Sequence, residues 1–113
     1  MKMIRLTRHD PVQGQLDEIK RIWGDDIQVQ MNYSVLSTNT RTAVETFDMI
    51  MRDADVAEIV LPINLTQAIL NYSDFCKRGG TLVKASMEKL DSGKYSFGSY
   101  EQLINIQIET REL

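Results

Sequence analysis

Apolar residues fall in short runs separated by amphipathic stretches, so the chain reads as strand and helix in alternation. Met3, Ile4 and Leu6 make residues 2–7 a strand candidate. Asp10-Pro11 then reads as an N-cap followed by proline at the first helical position. Val12, Leu16, Ile19 and Trp23 recur at intervals of four, three and four on one helical face, and Gly24 supplies a left-handed cap. Ile27, Val29 and Met31 alternate with Gln28, Gln30 and Asn32, the period of a half-buried strand near one edge of a sheet.

Residues 33–40, rich in Ser, Thr and Asn, read as a connection, after which Thr42 and Glu45 have capping-box spacing. Val44, Phe47, Ile50, Met51 and Ala54 line one side of the second helix. The nearly continuous apolar run Ala57 to Leu61 suits a central strand covered on both faces. Asn64 and Gln67 repeat the cap spacing, and Leu65, Ala68, Ile69, Tyr72 and Cys76 form a third stripe ended by Gly79-Gly80. A fourth strand is predicted from Thr81 to Ala85 or slightly beyond. Asp91-Ser92-Gly93 marks a turn, Lys94 to Phe97 can extend, and Ile104, Ile106 and Ile108 alternate with polar residues as a last strand. That strand is expected to pair at a sheet edge or with a second subunit. Residues 1–113 therefore read as a single α/β, Rossmann-like domain. A βα core over 1–90 carries a mainly parallel sheet flanked by helices, and 91–113 form a C-terminal strand extension.

Composition narrows the partners. With 113 residues the chain can bury one core, and its net charge of −3 provides no basic field for duplex nucleic acid. The lone Cys76 excludes an internal disulfide, and no apolar run approaches the roughly 20 residues of a membrane span. Met1-Lys2-Met3-Ile4 lacks a signal-peptide core, so a cytoplasmic location is expected. There is no Gly-rich dinucleotide fingerprint or Walker-type lysine loop, and a single His and a single Cys argue against a His/Cys metal cluster. Asp25-Asp26 and Asp53/Asp55 read as solvated turn residues. No cofactor or metal is expected.

In a sheet of order 2-1-3-4, ligands bind beyond the carboxyl ends of the first and third strands, where the winding reverses. Thr7, Arg8, His9 and Asp10 would meet Pro62, Ile63, Asn64 and Gln67 there, both loops leading into helix amino ends that favour an anion. Arg8 can hold phosphate in a bidentate contact, and His9 is the natural general acid. Lys84 and Ser86, near the end of the fourth strand, border the same crevice. A structural alternative stays open for each residue. His9 or Asp10 caps the first helix, Asn64 caps the third, Lys84 is surface and Cys76 is inert core.

Thr7-Arg8-His9 after the first strand, Leu61-Pro62-Ile63-Asn64-Leu65 after the third and Cys76-Lys77-Arg78-Gly79-Gly80 before the fourth form an ordered set. In this the chain resembles the small stand-alone CRISPR-associated proteins related to CARF domains, over roughly residues 1–90. Pro11-Val12 departs from the small residues that follow the histidine in that pattern, and neither 33–40 nor the tail after Glu88 belongs to it. The resemblance implies a CARF-like homodimer that binds a cyclic oligoadenylate, the second messenger of type III CRISPR defence, and ring-nuclease activity as in several relatives. In that chemistry an adenosine 2′-hydroxyl attacks its adjacent phosphate without metal. Arg8 would hold phosphate, His9 would move the proton, and Thr7, Asn64 and Gln67 would orient sugar or base. Non-catalytic binding or sequestration, and a structural adaptor role, are the alternatives.

Overall fold

The computed structural model describes residues 1–104, which form five strands and four helices. In chain order these are β1 (Lys2–Leu6), α1 (Gln13–Trp23), β2 (Gln28–Asn32), α2 (Thr40–Ile50), β3 (Val56–Ile59), α3 (Ile63–Tyr72), α4 (Asp74–Lys77), β4 (Thr81–Lys89) and β5 (Tyr95–Gln102). All strands join one sheet of order β2-β1-β3-β4-β5, in which β1 to β4 run parallel and β5 returns antiparallel to β4. The chain moves outward from β1 to β2, crosses back to β3 and continues outward to β4, so the winding reverses between β1 and β3. No helix among the described residues is long and apolar enough to cross a membrane.

Strand alternation divides the buried residues into two layers. Ile4, Leu6, Ala57, Ile59 and Leu82 pack against Ala43, Phe47 and Met51 of the α2 region, Leu65 and Ile69 of α3 and Phe75 of α4. On the other face Met3, Val56 and Val83 meet Ile19 and Trp23 of α1, with Ile27 and Tyr100. β3 is buried at every position, as its apolar run predicts, but it stops at Ile59 and leaves Val60 67% exposed.

Each long helix starts at a residue other than the one predicted, for an identifiable reason. Asp10-Pro11 does not cap α1; the helix starts after Val12, whose N–H donates to Gln15 Oε1 at 2.9 Å. Val12 is consequently exposed, and Gln15 and Ile19 occupy the buried face instead. α2 starts before Thr42 because Asn39, a stronger N-cap than threonine, accepts the Thr42 N–H at 3.0 Å. α3 starts directly after Pro62, so Asn64 lies inside its first turn and is not its cap.

The third predicted stripe is two helices, with Tyr72 68% exposed at the break. Asp48 of α2 makes that break by accepting from Ser73 Oγ at 2.6 Å and from the N–H groups of Asp74 and Phe75 at 3.1 and 3.3 Å. Gly79-Gly80 therefore follow α4, and the Gly80 N–H donates to the Phe75 carbonyl at 2.9 Å. Gly24 ends α1 at φ +96°, a conformation that favours glycine, but its extended ψ of 159° differs from the predicted left-handed cap.

The predicted turn at Asp91-Ser92-Gly93 joins β4 and β5 into a hairpin longer than its sequence signals, with a register shift between Ser86 and Met87. The strand expected around Ile106 and Ile108 lies outside the described residues, and Ile104 is exposed.

Candidate functional site

A cleft of about 470 Å³ opens at the β1/β3 switch point. Thr7, Arg8 and His9 form one wall, directly after β1, and Val60, Leu61, Pro62, Asn64 and Leu65 form the opposite wall, after β3. The connection predicted at 33–40 supplies the third wall through Ser34, Val35, Leu36, Ser37, Thr38 and Thr40. Nothing in its Ser/Thr/Asn composition beyond polarity had marked it as part of the site. Topology brings it there: β2 is the neighbour of β1 and parallel to it, so its carboxyl-end loop emerges at the same end of the sheet.

The helix ends at the cleft differ from those expected. Thr40 of α2 and Asn64 and Leu65 of α3 line it, whereas no residue of α1 does, because α1 begins at Gln13. The arginine side chain of Arg8 and the imidazole of His9 are exposed beside hydroxyl and amide groups, and among the described residues no carboxylate lines the cleft. Arg8 has no ion-pair partner among the described residues. This surface can accept an anion with a polar, uncharged body next to an apolar floor of Leu6, Leu36, Leu61 and Leu65.

Five predicted residues, Thr7, Arg8, His9, Pro62 and Asn64, are thus brought together. Ile63 and Lys84 instead line an adjoining apolar cleft of about 360 Å³ that shares Val60 and Leu61 with the first, and Lys84 Nζ lies 3.5 Å from Glu101 Oε2. Asp10 points to the Tyr33 hydroxyl, which it accepts at 2.5 Å. That hydrogen bond raises the Tyr33 pKa above its ordinary value. Gln67 is half-buried and donates to Asn71 Oδ1 at 3.0 Å, and Ser86 pairs with Ser99 in the hairpin; neither lines the two clefts. Cys76 is partly buried, and burial pushes its thiol above the ordinary range. Asp25, Asp26, Asp53 and Asp55 are all exposed, and among the described residues no three His, Cys, Asp or Glu side chains gather as a metal site.

Sequence reading missed the polar group closest to this loop. Arg5 and Glu58 stand opposite each other in the β1–β3 register and are only 2% and 1% exposed. Arg5 donates from Nε to Glu58 Oε1 and from Nη2 to Oε2, both at 2.9 Å, while the Tyr100 hydroxyl of β5 donates to Glu58 Oε1 at 2.5 Å. Arg5 Nη1 then reaches the His9 carbonyl at 3.0 Å and Met31 Sδ at 3.2 Å. Burial opposes the charge on Arg5, but the hydrogen bond and charge of Glu58 outweigh it and the guanidinium pKa rises. Burial, followed by the hydrogen bond to Glu58, pushes the Tyr100 hydroxyl well above the usual phenol range. The missed signal was a charge of opposite sign at the centre of each of two neighbouring apolar runs.

The His9 N–H donates to Thr7 Oγ1 at 3.3 Å, so Thr7, itself 9% exposed, orders the loop as well as lining the cleft. Comparison with protein-family models, curated proteins and solved structures finds no match to this chain.

Proposed function

We propose that the switch-point cleft binds a cyclic oligoadenylate and opens its ring, as the resemblance of Thr7-Arg8-His9 and Leu61-Pro62-Ile63-Asn64-Leu65 to the CARF-related ring nucleases implies. One observation carries it: a cleft lined by Arg8 and His9 and, among the described residues, by no carboxylate, at the position where α/β sheets take phosphate-bearing ligands. In this mechanism Arg8 holds the scissile phosphate, and Asn64 and Thr7 orient sugar or base. The adenosine 2′-oxygen bonds to the adjacent phosphorus and gives up its proton to water. The phosphorus–5′-oxygen bond breaks, His9 protonates the departing 5′-oxygen, and a 2′,3′-cyclic phosphate end is left. That reaction asks the protein for positioning and charge stabilisation. A cleft of about 470 Å³ suits about one nucleotide with its phosphate, so a whole ring calls for two clefts facing each other in a two-fold homodimer.

A non-catalytic module that senses or sequesters the same ligand is the second reading. It is favoured by the His9 imidazole, which has no hydrogen-bond partner among the described residues and so lacks a group that fixes its tautomer. Purified protein incubated with cyclic tri-, tetra- and hexa-adenylate in EDTA distinguishes the two. Linear product with a cyclic phosphate end supports the nuclease, and intact ring retained on the protein supports the binder. Neither outcome would leave an adaptor. For the nuclease, His9→Ala lowers turnover by roughly 10²–10⁴-fold with ligand affinity within a few fold; an unchanged rate removes His9 from the mechanism.

A further inference from the structure

We infer that Arg5 is a positioning residue for His9, and that Glu58 and Tyr100 exist to hold Arg5 in the orientation this requires. The catalytic part of this inference rests on the ring-opening reading; the structural part does not.

A guanidinium is a rigid plane, so fixing one edge fixes where the rest points. Glu58 takes the Nε/Nη2 edge of Arg5 with both carboxylate oxygens, each at 2.9 Å, and Tyr100 closes on Oε1 from across the sheet. Nη1 is the part left over. It is aimed out of the pair at the backbone of the cleft loop, 3.0 Å from the His9 carbonyl. Thr7 Oγ1 accepts the N–H of the same residue. His9 is therefore gripped at both backbone groups while its ring stays exposed in the cleft. The grip is anchored on all the parallel strands that border the site: Met31 of β2 touches Nη1, Arg5 belongs to β1 and Glu58 to β3.

Stability alone gives no reason for this arrangement. Desolvating two charges cancels much of their attraction, and apolar pairs of similar volume serve a core as well or better. What an apolar pair cannot supply is a directed donor at the His9 carbonyl. Methionines could fill the same space, but they would not direct a donor at the loop that carries Arg8 and His9.

Arg5→Met/Glu58→Met is the decisive variant, because it removes both charges at once and leaves no buried unpaired ion, only the part-buried Tyr100 hydroxyl without its acceptor. The expected result is a melting temperature at or above that of the parent protein, together with a clear loss of backbone NMR order at residues 8–10 in the free protein. Where the parent opens the ring, kcat falls by at least about 10-fold, and by up to about 100-fold, with KM within a few fold, as a misplacement of about 1 Å would cause. Unchanged order at 8–10 in a folded variant overturns the clamp, whatever happens to turnover. Loosened order with unchanged kcat overturns its bearing on the chemistry. If the double variant fails to fold, Arg5→Lys serves instead: it keeps a charge beside Glu58 without the fork that spans carboxylate and carbonyl, and the same loss of order is expected. A parent protein that leaves every ring intact refutes the proposed reaction, while the NMR result still decides the clamp.

Discussion

Replacing Gly80 by alanine places one methyl group against the Phe75 ring of the larger core. A Cβ on Gly80 would lie 2.5 Å from Phe75 Cε2 and Cζ and 2.7 Å from Cδ2. Ordinary carbon contacts are about 3.5–4.0 Å, so the ring must retreat by about 1 Å. It has little room to do so. Phe75 is 2% exposed, stands edge-on to Phe47 at 5.7 Å, and carries the Arg78 guanidinium 4.9 Å above its face. Arg78 is in turn tied to the carbonyls of Met51, Arg52 and Ala54. Overpacking of this kind costs about 1–3 kcal/mol. Gly80 is not among the glycines with positive φ, so alanine also restricts the unfolded chain and returns about 0.4–1 kcal/mol. With central values for both effects the expected net loss is about 1.3 kcal/mol, read as a lower urea midpoint at an unchanged m value. Phe75→Leu removes the obstructing ring, so the double variant Gly80→Ala/Phe75→Leu should be more stable than the summed single effects by at least about 0.5 kcal/mol. A Gly80→Ala protein as stable as the parent, or strict additivity with Phe75→Leu, refutes the steric account.

Two further outcomes follow from groups away from the cleft surface. Tyr100 holds its proton more tightly in the folded than in the unfolded chain, so its contribution is complete below about pH 10 and is lost as pH rises beyond it. The stability loss between pH 9 and 11 should be flatter in Tyr100→Phe, by at most about 1.4 kcal/mol per pH unit before the discount for partial exposure; equal slopes in urea titrations would exclude this linkage. Asp48→Ala deprives the buried Ser73 hydroxyl and two N–H groups of α4 of their acceptor, and should cost about 1–3 kcal/mol in the same assay, with Asp48→Asn recovering part of it. A midpoint within error of the parent would show that α4 is held by packing alone.

Periodicity made the parallel strands and the flanking helices legible, though not the full strand order, because alternation in β2 and the full burial of β3 both follow from how many faces a strand covers. The same patterns placed Thr7-Arg8-His9 opposite Pro62 and Asn64. Helix starts were less legible where several residues could cap. Asn39 outcompeted Thr42, and Gln15, a residue of the helix itself, closed α1 in place of Asp10. The third wall of the cleft was hidden because its members share polarity with any exposed connection and acquire a role only through the adjacency of β2 to β1. Arg5 and Glu58 were hidden for a different reason. Each is a lone charge in an apolar run, and a hydrophobic count passes over it unless two strands are already known to be neighbours.

That adjacency has a consequence for assembly. Arg5 and Glu58 are direct partners in the β1–β3 register, in the middle of the sheet and buried on both sides. A slip of two residues keeps every side chain on its proper face, so the hydrophobic pattern alone would tolerate it. The charges would not: one direction sets Glu58 beside Met3 and Arg5 beside Val60, the other sets Glu58 beside Thr7 and Arg5 beside Val56. Either leaves an unpaired ion in the sheet interior, at a cost of about 3–5 kcal/mol. The two residues act as an alignment mark, admitting one pairing of the central strands and so bringing the loops that follow them to the same height.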